Sequence, residues 1–562
     1  MKVIAYEILS LLCVTLIGSA MNVELKKPTI LVSVLVRNKG HILPYFLSNL
    51  ERLDYPKDRI SLWIRSDHNS DNSIEILKFW ITSIKDQYHA VFTEFEEGER
   101  KYPEEDGVAH WTDQRFNHLM NMRENSLNFA RNIWADYYFS IDSDVILTNP
   151  NVLNYLISKN VLVAAPLLNS AGLYSNFWSG MTEDFYYKRT EAYKPILNRE
   201  NVSCYSVPMV HSCVLVDLRM QDSDFLTYLP SNIPNYIGPN DDIIVFALSA
   251  LRRNISLHIC NEDFFGYISQ PLEENDDLSY DYQHLLNIKM LELNRGFSLY
   301  LSEKFTKYVT IPQKDSLVFD NIFVINLKRR PDRRERMTKC FDELGLDVEF
   351  VDAVDGKVLN ESFLQHIKFM PDFKDPYHQR PMKLGEIGCF LSHYQIWKKI
   401  IDNNYQTSLI LEDDVRFEPF FRQKVERVMS EASKVQNWDL VYFGRKRLRD
   451  QEEPWVEGAK YLVEAGYSYW TLGYALSLSG AQKLLDAKPL TKLVPVDEYL
   501  PILFDKHPRE NWKGYYPKRD LVALSADPLL IYPTHYTGEE GYISDTEDSV
   551  VIPEEIIVRE DL

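Results

Sequence analysis

The sequence is short of cysteine, glycine and positive charge, and after its first twenty residues it has no long apolar run. Its 562 residues include six cysteines, 21 glycines, and 62 lysines plus arginines against 82 aspartates plus glutamates, a formal charge of −20. That deficit argues against nucleic-acid binding, which needs a basic face to displace counterions from phosphate. The few glycines and 27 prolines follow no G-X-Y period, so the chain is not itself fibrous. There is no tandem repeat, no G-x-x-x-x-G-K-[ST] loop for ATP phosphates and no G-x-S-x-G hydrolase elbow. No two cysteines have zinc-finger spacing, which argues against a structural zinc. Nothing after residue 20 approaches the roughly 20 consecutive apolar residues of a membrane span, so no transmembrane segment is expected.

What is present is the composition of a folded protein, 45% apolar and 26% charged, with length for two to four domains. Lys2, the apolar run Ile8–Ile17 and the small residues Gly18, Ser19 and Ala20 predict a cleaved secretory signal over 1–20, a buried first element being the alternative. The last four residues, Arg559, Glu560, Asp561 and Leu562, resemble a retrieval tetrapeptide of the endoplasmic reticulum, so the expected compartment is its lumen. Asn201, Asn254 and Asn360 head glycosylation sequons that fit this route. Five cysteines follow the signal, an odd number, and the spacing of Cys204 and Cys213 would allow a bridge.

The chain reads as two similar α/β halves. Thr29–Val36 opens the first as a buried strand and Asn321–Leu327 opens the second. Further strands are predicted at Ser61–Arg65, Val91–Phe95, Tyr137–Ile141, Val161–Ala165, Cys213–Val216, Ser408–Leu411 and Leu440–Phe443. Helices are expected over Asp113–Trp134, capped by Asp113, and over Ser392–Ile401. Domain boundaries follow at 28–270 and 319–537, with a connecting segment at 271–318 and an acidic tail at 538–562. Nine acids and one arginine fall between Glu539 and Leu562, so much of the net charge belongs to that tail.

Each half runs an apolar strand into acids. Tyr137–Ile141 leads into Asp142-Ser143-Asp144, and Ser408–Leu411 into Glu412-Asp413-Asp414. Open α/β sheets bind ligands beyond the carboxyl ends of their strands, and extended residues two apart point the same way. Such carboxylate pairs suit a hard divalent cation that leaves positions for a substrate diphosphate, as in nucleotide-sugar transfer; a surface turn carrying acids is the plainer alternative. Asp241 and Asp242 sit at a helix start facing the first pair's side. In the second half, Lys328–Arg336 is locally basic, follows a strand and opens a helix, so it is a candidate diphosphate site, or else a solvated helix face. Gly385–His393 joins two glycines to a helix start; Cys389 and His393 lie four apart there, but sugar transfer needs no Cys–His nucleophile.

The ordered segments NLKRRPDRRERM, GEIGCFLSHYQIW, LILEDDV and VDEYLP resemble glycosyltransferase family 25, whose simpler bacterial members match the second half alone. With the extra N-terminal half, the signal, the retrieval tail and the segment Pro533–Ser549, the chain resembles the family's animal procollagen galactosyltransferases. The resemblance implies two tandem glycosyltransferase-A-like domains, Rossmann-like with mixed sheets. It also implies manganese-dependent transfer of galactose from UDP-galactose to 5-hydroxylysine of collagen or procollagen chains. Lysyl hydroxylases and a second copy of the chain are further candidate partners. The family's inverting outcome requires one in-line displacement and a base on the acceptor hydroxyl.

The expected metal ligands are Glu412, Asp413 and Asp414, with His535, and Asp142 with Asp144 in the first half. Glu412 stands where a strict D-x-D would have Asp. The expected base is Asp497 or Glu498, with helix capping or binding of the lysine ammonium as their alternative roles. Asn326, Arg330, Arg333, Ser392 and His393 are the donor-binding candidates. A non-catalytic adhesion or lectin-like relative is the competing reading, against which the retained acids and the tail argue.

Overall fold

The computed structural model describes residues 26–552 except 360, 372, 449–452 and 540. Residues 1–20, where a signal is expected, Asn360 and the terminal Arg559, Glu560, Asp561 and Leu562 therefore lie outside the described residues. Asn201 and Asn254 are both exposed. Among the described residues no helix is long and apolar enough to cross a membrane.

The chain divides into two compact units, one ending at Tyr282 and reclaiming Tyr300–Val309, the other made of Gln283–Leu299 and everything from Thr310. The stretch expected as a connecting segment is thus shared between two cores. Phe305 is buried in the first, while Met290 and Leu293 of the helix Leu278–Asn294 are buried in the second.

The first unit is built on β1 (Ile30–Val36), β2 (Ile60–Ser66), β3 (Ala90–Phe95), β4 (Tyr137–Asp142), β5 (Val163–Pro166), β6 (Cys204–Val207), β7 (Cys213–Asp217) and β8 (Leu257–Cys260). They form one mixed eight-stranded sheet in the order β3-β2-β1-β4-β7-β5-β8-β6. The β3-β2-β1-β4 half is parallel, and β7 runs antiparallel to β4 and β5. Strands such as β1 are covered on both faces, which is why they read as unbroken apolar runs. The helix Asp113–Asn132 begins one residue earlier than expected: Thr112 is its cap and accepts from the Arg115 N–H at 3.2 Å. The disulfide joins Cys204 to Cys260, not to Cys213. Antiparallel register sets Cys260 opposite Cys204, whereas Cys213 pairs with Ile141 in the sheet and is buried as a free thiol.

The second unit contains β9 (Asn321–Asn326), β10 (Glu349–Asp352), β11 (Thr407–Glu412), β12 (Leu440–Arg447), β13 (Leu462–Glu464), β14 (Ser468–Ser477) and β15 (Ala523–Ala526). Their order in the sheet is β10-β9-β11-β14-β12-β15-β13, with β9 parallel to β10 and β11, and β14 antiparallel to β11 and β12. Alternate residues of the strands face opposite layers. Phe323, Ile410, Tyr442 and Tyr474 pack with Ile387, Phe390 and Trp397 of the helix Leu384–Asp402. Ile322, Val324, Leu409 and Leu411 pack with Met337 and Phe341 of the helix Pro331–Leu344. Each such side chain contributes about 1.5–3 kcal/mol by leaving water. The two helices that carry the basic and glycine-rich motifs thus clamp the sheet whose β11 ends in acids.

Candidate functional site

At the carboxyl end of β11 the three acids separate into different environments. The Asp413 carboxylate is buried and accepts from Asn326 Nδ2 at 2.7 Å and Arg333 Nη1 at 2.9 Å. Asp414 accepts from the same Arg333 nitrogen at 3.1 Å through Oδ2, while its Oδ1 is buried with no hydrogen-bond partner among the described residues. Glu412 accepts from Thr471 Oγ1 at 2.5 Å and lies 3.4 Å from His393 Nε2. Burial pushes the Asp414 carboxyl up to about 6; Arg333 opposes that, and Glu412 and Asp413 reinforce it. Glu412 goes the other way: burial would raise it, but His393 and the Thr471 hydroxyl bring it below the ordinary carboxylate range. An orphaned buried carboxylate oxygen beside a second carboxylate fits a hard cation.

Asp497 opens the helix Val496–Leu503 beside this cluster. Burial, then the charges of Glu412 and Glu498, push its carboxyl up to about 8, against the backbone N–H of Trp470, which donates to it. Trp470 holds a φ of +67°, a left-handed conformation rare for a bulky residue, where the β12–β14 register shifts around Gly444. Glu498, the other base candidate, is buried and spent on the Tyr469 hydroxyl at 2.6 Å, the Tyr467 hydroxyl at 3.1 Å and His507 Nε2 at 2.8 Å.

The donor-binding candidates divide as well. Ser392 is buried, donating to the Gly388 carbonyl at 2.7 Å and accepting from the Val354 N–H at 2.9 Å, so it joins a loop to its helix. Gly388 permits that approach: a Cβ there would fall 2.3 Å from the Val354 carbonyl oxygen. His393 is fully buried with Nδ1 2.9 Å from the Tyr474 hydroxyl. The stretch Lys328–Arg336 is not an open anion cradle, because its guanidiniums already face carboxylates. Arg329 donates to Asp355 at 2.7 Å and to Asp545 at 2.5 Å, and Arg330 donates to Asp545 at 2.8 Å. Arg333 also reaches the Ile543 carbonyl at 2.9 Å.

Asp545 comes from the segment expected as an acidic tail. Residues 541–552 instead lie across the second unit, with Ser549 Oγ accepting from the Gly385 N–H at 2.9 Å and the Val550 carbonyl accepting from the Leu384 N–H at 2.8 Å. A Cβ on Gly385 would meet Ser549 Oγ at 2.7 Å and the Thr546 Cα at 2.8 Å, which explains the first glycine of the motif. Thr534 donates its N–H to the Asp414 carbonyl at 2.8 Å; the neighbouring His535 is exposed, its ring against Gly541.

In the first unit, Asp142 ends β4 and Asp144 follows it in the turn, but side-chain cations already face them. Arg123 donates to Asp142 at 2.8 Å and reaches Asp242 at 2.5 Å, and Lys39 lies 3.5 Å from Asp144 and 3.2 Å from Asp281. Asp241 caps the helix Asp242–Leu251 through the N–H groups of Ile243 and Ile244. Sequence reasoning missed Arg123, Lys39, Thr471, Trp470 and Asp545. Each acts across a long sequence separation, and a local motif carries no signal of it.

The chain is similar to known proteins over most of its length. A family model described as "Glycosyltransferase family 25, N-terminal domain" matches residues 27–289, and one described as "Glycosyltransferase family 25 (LPS biosynthesis protein)" matches residues 319–500. A "Glycosyltransferase 25 family member" of Anopheles gambiae is 51% identical over 551 residues, covering 97% of this chain and 93% of the relative. "Procollagen galactosyltransferase 1-A" of Xenopus laevis is 47% identical over 94% of this chain and 87% of its own length. "Procollagen galactosyltransferase 2" of Homo sapiens is 46% identical over 95% and 86% respectively.

Proposed function

Because the chain belongs to glycosyltransferase family 25, we propose that it is a procollagen galactosyltransferase that moves galactose from UDP-galactose to the hydroxyl of 5-hydroxylysine, with Mn2+, in the endoplasmic reticulum lumen. The reading rests on near full-length relatives that carry this name, and on one feature of the second unit: an orphaned carboxylate oxygen of Asp414 beside Glu412, with Asp497 close by.

Glu412 and Asp414 would hold the cation, a role their hard oxygen ligands suit. Bound there, it would neutralise charge on the departing nucleoside diphosphate. Asp413 serves differently: with Asn326 it fixes Arg333, so that one guanidinium steers both Asp413 and Asp414. Asp497 is the base. Its carboxyl is held protonated by burial and by Glu412, and the acceptor brings its own ammonium on the carbon next to the reacting hydroxyl. That positive charge favours the carboxylate form needed to take the hydroxyl proton as the hydroxyl displaces UDP. Glu498 keeps a structural place, anchoring the base-bearing helix to Tyr467, Tyr469 and His507. Asp142 and Asp144 serve the first unit by holding Arg123 and Lys39, and transfer belongs to the second unit.

The test is transfer from UDP-galactose to a hydroxylysine peptide, with and without Mn2+, comparing the native chain with Asp414→Asn and Asp142→Asn at verified folding. Activity should vanish in the first variant and survive in the second. Unchanged turnover in Asp414→Asn, or total loss in folded Asp142→Asn, overturns the assignment of the site to the second unit. No transfer by the native chain overturns the function.

A further inference from the structure

Cys389, His393 and Glu412 offer one sulfur, one nitrogen and one oxygen within 4.8 Å of one another. Cys389 and His393 are four residues apart in the helix Leu384–Asp402 and so share a face, and Glu412 meets them from the end of β11. The transfer mechanism uses neither the thiol nor the imidazole.

Three features of His393 point to a ligand. Its side chain is fully buried, and among the described residues Nε2 has no hydrogen-bond partner; the 3.4 Å to Glu412 Oε1 is too long for a good one. Nδ1 lies 2.9 Å from the Tyr474 hydroxyl, which also accepts from Trp397 Nε1 at 3.0 Å. A hydroxyl oxygen has two acceptor positions, so when a cation binds this network can take the Nδ1 proton and free Nε2, which in the empty site faces and lowers Glu412, to serve as a ligand. A cation between Nε2 and Oε1 would then replace their weak contact with two coordination bonds. The separation also suits one: with Zn–N and Zn–O bonds of about 2.0–2.1 Å, a tetrahedral edge is about 3.4 Å.

We propose that Cys389, His393 and Glu412 form a binding site for a borderline-soft divalent cation of the Zn2+ class, one that competes with the Mn2+ of transfer by taking Glu412 from it. Thiolate and imidazole select Zn2+ over the oxygen-preferring Mn2+. Coordination costs Cys389 its thiol proton, which leaves to solvent, and the fourth position is open to water. Glutamate in place of the first aspartate of a D-x-D has a reason here, since the extra methylene carries the carboxylate to the wall formed by His393 and Thr471.

The consequence for activity rests on the proposed role of Glu412, but binding does not, and the experiment reads the two separately. Chelator-treated full-length protein is titrated with Co2+ and followed for the near-ultraviolet thiolate-to-cobalt band. Zn2+ is then titrated into the transfer assay at fixed Mn2+. The native chain should show the band and lose it on adding Zn2+. Cys389→Ser should lack the band and bind Zn2+ at least about 100-fold more weakly, the upper end of the cost of losing even an outer-shell partner. It should also keep its Mn2+-supported turnover while resisting Zn2+ inhibition. No band in the native chain overturns the site whatever the variant does, and so does a band that persists in Cys389→Ser. A band without Zn2+ inhibition overturns the competition with Mn2+.

Discussion

Replacing Asp497 with asparagine should abolish transfer and make the protein more stable. The fold raises this carboxyl from an ordinary value of about 3.9 to about 8, first by burial and then by the charges of Glu412 and Glu498. Between those values the native state holds a proton that the unfolded chain has released, so native stability falls as pH rises through that window. At about 1.4 kcal/mol per unit, the full penalty at pH 7.5 would be about 5 kcal/mol. Asp497 is only partly buried, and solvent screening reduces the figure to about 2 kcal/mol. Asparagine copies the protonated carboxyl, can still accept from the Trp470 N–H, and carries no charge to pay for. Thermal unfolding in chelator-containing buffer should show the variant about 4–8 °C above the native chain at pH 7.5, the gap closing towards pH 4. The same comparison in a Glu412→Gln background should give a smaller gap, since one repelling charge is gone. A variant no more stable than the native chain at pH 7.5, or a gap that does not change with pH, refutes the reasoning.

Asp545→Asn leaves Arg329 and Arg330 without their shared carboxylate; if these guanidiniums reach the donor diphosphate, UDP with Mn2+ should bind about 2- to 5-fold tighter by calorimetry, and equal or weaker binding rejects that role. Arg123→Met leaves Asp142 and Asp242 facing each other in the first unit and should cost about 3–5 kcal/mol in denaturant unfolding, whereas Asp142→Asn should cost clearly less; equal losses would mean that Arg123 does not balance the pair. Cys204→Ser opens a link across a separation of 56 residues and should lower stability by about 2–4 kcal/mol, while Cys213→Ser should leave the Cys204–Cys260 bond detectable by mass spectrometry; loss of that bond in Cys213→Ser, or a Cys204–Cys213 peptide from the native chain, would contradict the sheet order.

How far the sequence discloses such a site depends on how local the controlling physics is. Strand β11 was legible because burial on both faces demands an unbroken run, and Ser408–Leu411 supplies it directly before three acids. Both glycines of GEIGC were visible as a motif, but their reason lies in Val354 and Ser549, which pack where a Cβ would stand. Cys204 could not be matched to Cys260 from spacing, because the pairing follows from strand order, which is global. Charge was the most misleading signal. Lys328–Arg336 is basic as text, yet in the fold Asp355, Asp413, Asp414 and Asp545 turn its guanidiniums inward, so a count of like charges along a helix says little about an anion site until the partners from other strands are placed. The three adjacent acids show the converse. Neighbouring carboxylates that look equivalent in sequence are split by their surroundings into one lowered by His393 and Thr471, one tied to Asn326 and Arg333, and one left with an unpartnered oxygen. That division of labour is a property of the assembled sheet and its two clamping helices, and it is what allows a single short segment to hold a cation and position an arginine together.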